Sequence, residues 1–242
     1  MIHLLRKELI SFWSNSFSLV ALGVLIILSF LFLWIFPDSS YLTYGLATFD
    51  LYFQYVSYLL LFVVPAFAVG LMSHEYVYGT EILLRSLGVN GIKVVGTKFL
   101  AALLVLILIM TLLSIHLYVI GDLAVENMDS TRQIFIGHLG LIIIGACYAS
   151  LSIMVASFTE QTTSSLLVSI IVCFLFYSGF NILSGIPIFE GNIDYLLDRF
   201  SLTYHTGQLS SGILRMSTLL YCPLLILWSL WVASSNVNEK YV

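Results

Sequence analysis

Residues 17–36 carry no charged side chain, and five further runs of this kind follow at 51–72, 99–120, 134–158, 165–189 and 217–234. A helix of about 20 apolar residues covers the hydrocarbon core of a bilayer. Six such runs cannot share one soluble core, because most of their surface would face water. Composition agrees: 60% of the 242 residues are apolar and 9% charged, against about one quarter charged in a soluble domain. The expected fold class is all-α, a polytopic membrane protein with six transmembrane helices in a single domain over residues 1–242. Pro65 lies inside the second run as an expected kink, and Gly179, Gly185 and Pro187 interrupt the end of the fifth.

Six crossings put both termini on one side, and lysine and arginine decide which. The termini and the loop after the second run hold Arg6, Lys7, Arg85, Lys93, Lys98 and Lys240. The three opposite loops hold only Arg132, Arg199 and Arg215. The first side is therefore expected to be cytoplasmic, with both termini there. The opposite loops are acidic, Asp38, Asp50, Glu126 and Asp194 among them. The first apolar run is too long for a cleavable signal peptide, so it is expected to be retained.

Two stretches outside the runs show helical periodicity. Ile2, Leu5, Leu9 and Phe12 recur around Arg6, Lys7 and Glu8. The expectation is an N-terminal interfacial helix with its apolar side in lipid, and the simpler alternative is a basic anchor. Ile193, Leu196, Leu197 and Phe200 repeat in the same way. A fifth helix that breaks, re-enters and leads to a short amphipathic outer helix fits them, and so does an ordinary outer loop.

Much chemistry is missing from these runs. None holds Asp, Glu, Lys or Arg, which argues against a proton-driven carrier. His116 and His138 read as helix-end histidines near the outer face. The small residues of "GACYAS" at 145–150 have no obvious base beside them and read as tight helix packing. Cys147, Cys173 and Cys222 all lie in apolar runs and suggest neither disulfides nor a metal site. No lysine follows a glycine, so the G-x-x-x-x-G-K-[ST] phosphate loop is absent. The chain is expected to be no enzyme, with no catalytic residue, metal or cofactor of its own. With a net charge of −4 and no basic stripe, nucleic acid is not an expected partner.

Charge gathers instead in "SHEYVYGTEILLRSLGVNGIKVVGTKF" at residues 73–99. Thr80 suits the cap of a short helix, with Glu81 in its first turn and Arg85 four residues on. Ile82, Leu83, Leu84 and Leu87 give it an apolar side, and Gly88 suits its stop. Those leucines either rest on the membrane surface or dock on a protein.

An N-terminal helix with Arg-Lys-Glu, six spans, and Glu-x3-Gly-Thr-Glu-x-Leu-Leu after the second span resemble the ABC-2 type permeases, the membrane subunits of ABC transporters. Within them the chain is most similar to the permeases of gliding-motility-associated transporters. The likeness runs through "FLFLWIF", "LFVVPAFAVGLMSHEYVYGTEILLRSL", "TEQTTSSLLVSIIVCFLFYSGF" and "LSSGILRMSTLLY". It implies that residues 73–87 are a cytoplasmic coupling helix seated on an ABC ATPase subunit. Glu75, Gly79, Thr80, Glu81 and Leu84 match the family pattern, and Arg85 keeps its charge type. Glu75, Glu81 and Arg85 are the implied polar contacts, with Leu83 and Leu84 as buried anchor. It further implies a second permease, a copy or a paralogue, with ATP and Mg held by the partner ATPase, in a bacterial inner membrane whose lipids surround the spans. Two other functions stay open: a membrane scaffold or anchor, and a small channel or sodium-coupled carrier.

Overall fold

The computed structural model describes residues 2–36, 49–79, 89–123, 131–159, 161–187 and 191–241. Among these there is no strand. Six helices are long and apolar enough to cross a membrane, over Ser18–Ile35, Phe49–Ser73, Gly91–Asp122, Thr131–Phe158, Thr162–Ser184 and Met216–Glu239. This is the make-up of a multi-pass membrane protein, and each crossing helix overlaps one apolar run. The elements are α1 (Ile2–Ser14), α2 (Ser16–Phe30, extended by a π-helical turn at Leu31–Ile35), α3 (Phe49–Tyr78), α4 (Gly91–Leu123) and α5 (Thr131–Phe158). Then come α6 (Thr162–Phe174, with a π-helical turn at Leu175–Gly179), α7 (Phe180–Ser184), α8 (Asn192–Phe200), α9 (Leu202–Ser210) and α10 (Met216–Tyr241).

The helices α3 and α5 form the interior. Their spans are 89% and 78% buried, against 22% for α2 and 28% for α10. Small residues let neighbours close on α5. A Cβ on Gly140 would stand 2.6 Å from Leu209 Cβ of α9, and one on Gly145 would stand 2.7 Å from Leu106 Cδ2 of α4. The outer helices keep Ile27, Leu220, Leu224 and Leu227 exposed, the surface a bilayer would cover. The helix α3 continues through Pro65.

Three expectations change. The third helix starts at Gly91, not at residue 99, so Lys93 and Lys98 are helical. Asn90 explains the earlier start: its carbonyl accepts from the Lys93 and Val94 amides and its side chain from the Ile92 amide, the work of an N-cap. The spans are therefore not free of charge at their ends, and Lys98 is buried there. Finally, α1 does not turn Leu5, Leu9 and Phe12 to lipid. Phe12 is buried and Leu5 and Leu9 pack on the core, leaving Ile10 and Trp13 exposed.

After the fifth span the chain folds back. A π-helical turn widens the helix and loosens its carbonyls. The Tyr177 carbonyl of that turn accepts from Ser201 Oγ at 2.5 Å and Thr203 Oγ1 at 2.6 Å, which ties the start of α9 to α6. The periodic stretch does form a helix, α8, but Ile193, Leu196 and Phe200 are exposed on it.

Candidate functional site

The predicted coupling segment lies largely outside the described residues. Thr80, Glu81, Leu83, Leu84 and Arg85 fall there, while Glu75 belongs to the last turn of α3 and Gly79 follows its end with φ +64°. A positive φ just past a helix favours glycine, since a side chain would strain that backbone.

The two roots of the segment are described, and both are fastened. Lys98 of α4 donates through Nζ to the Leu71 carbonyl of α3 at 2.5 Å and stands 3.4 Å from Glu8 Oε2 of α1. Lys7 Nζ lies 3.6 Å from the other Glu8 oxygen. The side chains of Lys98 and Glu8 are 1% and 3% exposed. A buried ammonium is costly unless paired, so this pair holds α1 inward and clamps α3 to α4. At the start of α4, the Gly91 amide donates to Asn238 Oδ1 of α10 at 2.8 Å. The Ser234 carbonyl would stand 2.8 Å from a Cβ on Gly91, so only glycine lets these helices approach there. Asn236 Nδ2 donates to the Ser157 carbonyl of α5 at 2.5 Å. Five helices thus meet at the end of the bundle that carries both termini.

The opposite end is built differently. Asp50, Gln54 and Tyr58 of α3, spaced by four, share one helix face, and Thr203, Thr206, Gly207 and Ser210 share one face of α9. These two faces, with Tyr177 and Ser211, line an open cavity of about 330 Å³. Gln133 Nε2 of α5 donates to Asp50 Oδ1 at 3.2 Å. No Lys, Arg or His is among the described residues lining it.

Two histidines lock neighbouring helices. Trp34 Nε1–H of α2 donates to His116 Nδ1 at 3.1 Å, and His116 Nε2 lies 3.4 Å from Ser29 Oγ. An indole only donates, so Nδ1 is the accepting nitrogen. This joins α2 to α4, the structural role expected of a helix-end histidine. His205 of α9 lies between the Arg199 carbonyl at 3.0 Å and Thr218 Oγ1 of α10 at 2.9 Å, stacked on Tyr221. Burial pulls its imidazole below the usual pKa, with the Arg199 carbonyl opposing. Tyr221 closes the cluster by donating to the Phe200 carbonyl at 2.6 Å.

Compared with known proteins, the chain matches no family model and no curated sequence. Sequence reasoning overlooked both constellations described here. Glu8 and Lys98 are separated by most of three helices, so no spacing links them. Asp50, Gln54 and Tyr58 carry a readable signal, a polar stripe of period four at the mouth of an apolar span.

Proposed function

We propose that this chain is the transmembrane subunit of an ABC transporter of the ABC-2 type. It couples ATP hydrolysis by a separate ATPase subunit to export or mechanical work across a bacterial inner membrane. The resemblance of its motifs to the gliding-motility-associated permease GldF supports this reading. Both termini face the cytoplasm, and two permeases, identical or paralogous, stand on two ATPases. The observation that supports this reading is that the motif-bearing stretch at residues 73–87 begins in the last turns of α3 and is followed in the chain by α4, and that these two helices are fastened to α1 and α10.

The mechanism follows from that placement. ATP and Mg bind the partner. Closure of the ATPase pair draws each coupling helix with it. Glu75, Glu81 and Arg85 make its polar contacts and Leu83 and Leu84 its buried anchor. The pull passes directly to α3 and α4, and through the Glu8–Lys98 pair to α1 and the first span. The first, second and fifth spans then tilt, while the α7–α8 return forms a re-entrant outer segment. A second reading, a membrane scaffold without transport, is favoured by the exposed apolar face of α8.

The test is a detergent pull-down from the native membrane with mass spectrometry of the captured proteins. A stoichiometric ATPase is expected, and Leu84→Asp is expected to lose it without loss of folding, because removing a buried anchor costs a few kcal/mol of binding. Full retention of the ATPase by Leu84→Asp refutes the coupling role. Capture of membrane partners without any ATPase turns the assignment to the scaffold.

A further inference from the structure

We propose that the cavity between α3 and α9 is a binding site for an organic ammonium group. The inference stands apart from the ABC assignment, since it needs neither an ATPase nor transport.

A hydroxyl has one proton and two lone pairs. Thr203 gives its proton to the Tyr177 carbonyl, Thr206 to Leu202, and Ser210 and Ser211 both to Gly207. All four hydroxyls are spent as donors, so a guest in the cavity meets them as acceptors. Asp50 adds a carboxylate, of which Oδ1 already takes the Gln133 amide. These four hydroxyls and Asp50 face the cavity as acceptors, which a guest carrying N–H groups would match, while Gln54 and Tyr58 of the same lining carry donors of their own.

Asp50 is the one charged group among the described residues of the lining, with no cation beside it there. An anion would meet the Asp50 carboxylate with no Lys, Arg or His in the described lining to offset it. A wholly apolar guest would strip water from this wall without replacing its hydrogen bonds. A cation is attracted to the Asp50 carboxylate, which is exposed at the mouth and so exerts a modest, salt-screened pull.

Tyr58 lies eight residues below Asp50 on α3, about 12 Å along the helix at 1.5 Å per residue. There it meets Tyr177 edge to face, with ring centroids 5.1 Å apart at 84°. Tyr58 is 39% exposed, so its ring is within reach of a guest. Aromatic rings attract ammonium groups, quaternary ones included. Carboxylate at the mouth, hydroxyl acceptors along one wall and tyrosines at the base together describe a site for an amine. The cavity volume of about 330 Å³ suits a small amine or the headgroup of an amino lipid.

The experiment is calorimetric titration of the full chain in a maltoside detergent with ethanolamine and with spermidine, using glycerol and inorganic phosphate as controls. At least one amine is expected to bind saturably, and neither control. Asp50→Asn keeps an acceptor for Gln133 and removes the charge. It is expected to weaken binding by about two- to fivefold, the range of an exposed ion pair. Tyr58→Leu, at an exposed position, is the independent second variant and is expected to weaken spermidine binding severalfold, since of the two amines only that one is long enough to reach from Asp50 to the tyrosines. Gel filtration and circular dichroism report folding in each case. Competition by dihexanoyl phosphatidylethanolamine, but not by the matching phosphatidylglycerol, identifies a lipid headgroup as the source; no competition identifies a soluble amine. The proposal falls if neither amine saturates the folded chain, if glycerol binds as well, or if the folded variants keep full affinity.

Discussion

Lys98 shows how much one buried charge can organise. Its ammonium has Glu8 at 3.4 Å and the Leu71 carbonyl at 2.5 Å. The aliphatic stem of a lysine packs readily among apolar neighbours, so the helix tolerates it once the head is paired. Breaking such a pair leaves an uncompensated charge, which costs about 3–5 kcal/mol, whereas replacing both partners is often neutral. Lys98→Met leaves Glu8 with the half-exposed Lys7 as its remaining cation and the Leu71 carbonyl without its donor, so it is expected to destabilise the protein by about 1–3 kcal/mol, while the Glu8→Leu/Lys98→Met double variant recovers part of the loss. Reversible unfolding in mixed micelles measures both. A neutral Lys98→Met would mean that no buried pair holds α1.

At the scale of elements, the fold-back after the fifth span rests on close packing more than on its own helices. Nine-residue helices such as α8 and α9 are marginal alone. They gain support from the Tyr177 carbonyl, the His205 cluster and the contact of Leu209 with Gly140. A side chain at Gly140 must push α9 away, because the facing atom is Leu209 Cβ and not the tip of a flexible side chain. Gly140→Val is expected to cost about 1–3 kcal/mol, the range of an overpacked core. Gly96→Ala, inside α4 with nothing within 4 Å of its new Cβ, is expected to stabilise by up to about 1 kcal/mol. A thermal-shift comparison of the two variants in detergent decides the point, and equal melting temperatures would mean that α9 does not press on α5.

For the whole molecule the testable property is sidedness. Cys147, Cys173 and Cys222 are buried and should not react with maleimides, so single introduced cysteines report position cleanly. Ser211, after α9, and Lys93, at the start of α4, are both exposed and lie at opposite ends of the bundle. A membrane-impermeant maleimide is expected to label Ser211→Cys in intact cells, and Lys93→Cys only after permeabilisation. Reversed labelling would invert the topology, and labelling of both in intact cells would break the count of six crossings.

The sequence by itself determined the class and the number of spans, and for residues 193–200 it left a short helix and an ordinary loop both open. These are local properties: apolar run length, and periodicity over one or two turns. It also held a legible polar stripe at Asp50, Gln54 and Tyr58, whose partner face on α9 it could not name. Tertiary structure decided what local pattern cannot carry. It turned Leu5, Leu9 and Phe12 of α1 to the protein, because Glu8 beside them has a buried cation to meet. It brought Lys98 inside, where a run of residues alone reads as a charged flank. It also folded α9 back onto α3 and α5, giving two separate polar faces a common cavity. Each of these depends on groups far apart in the chain, and only packing brings them together.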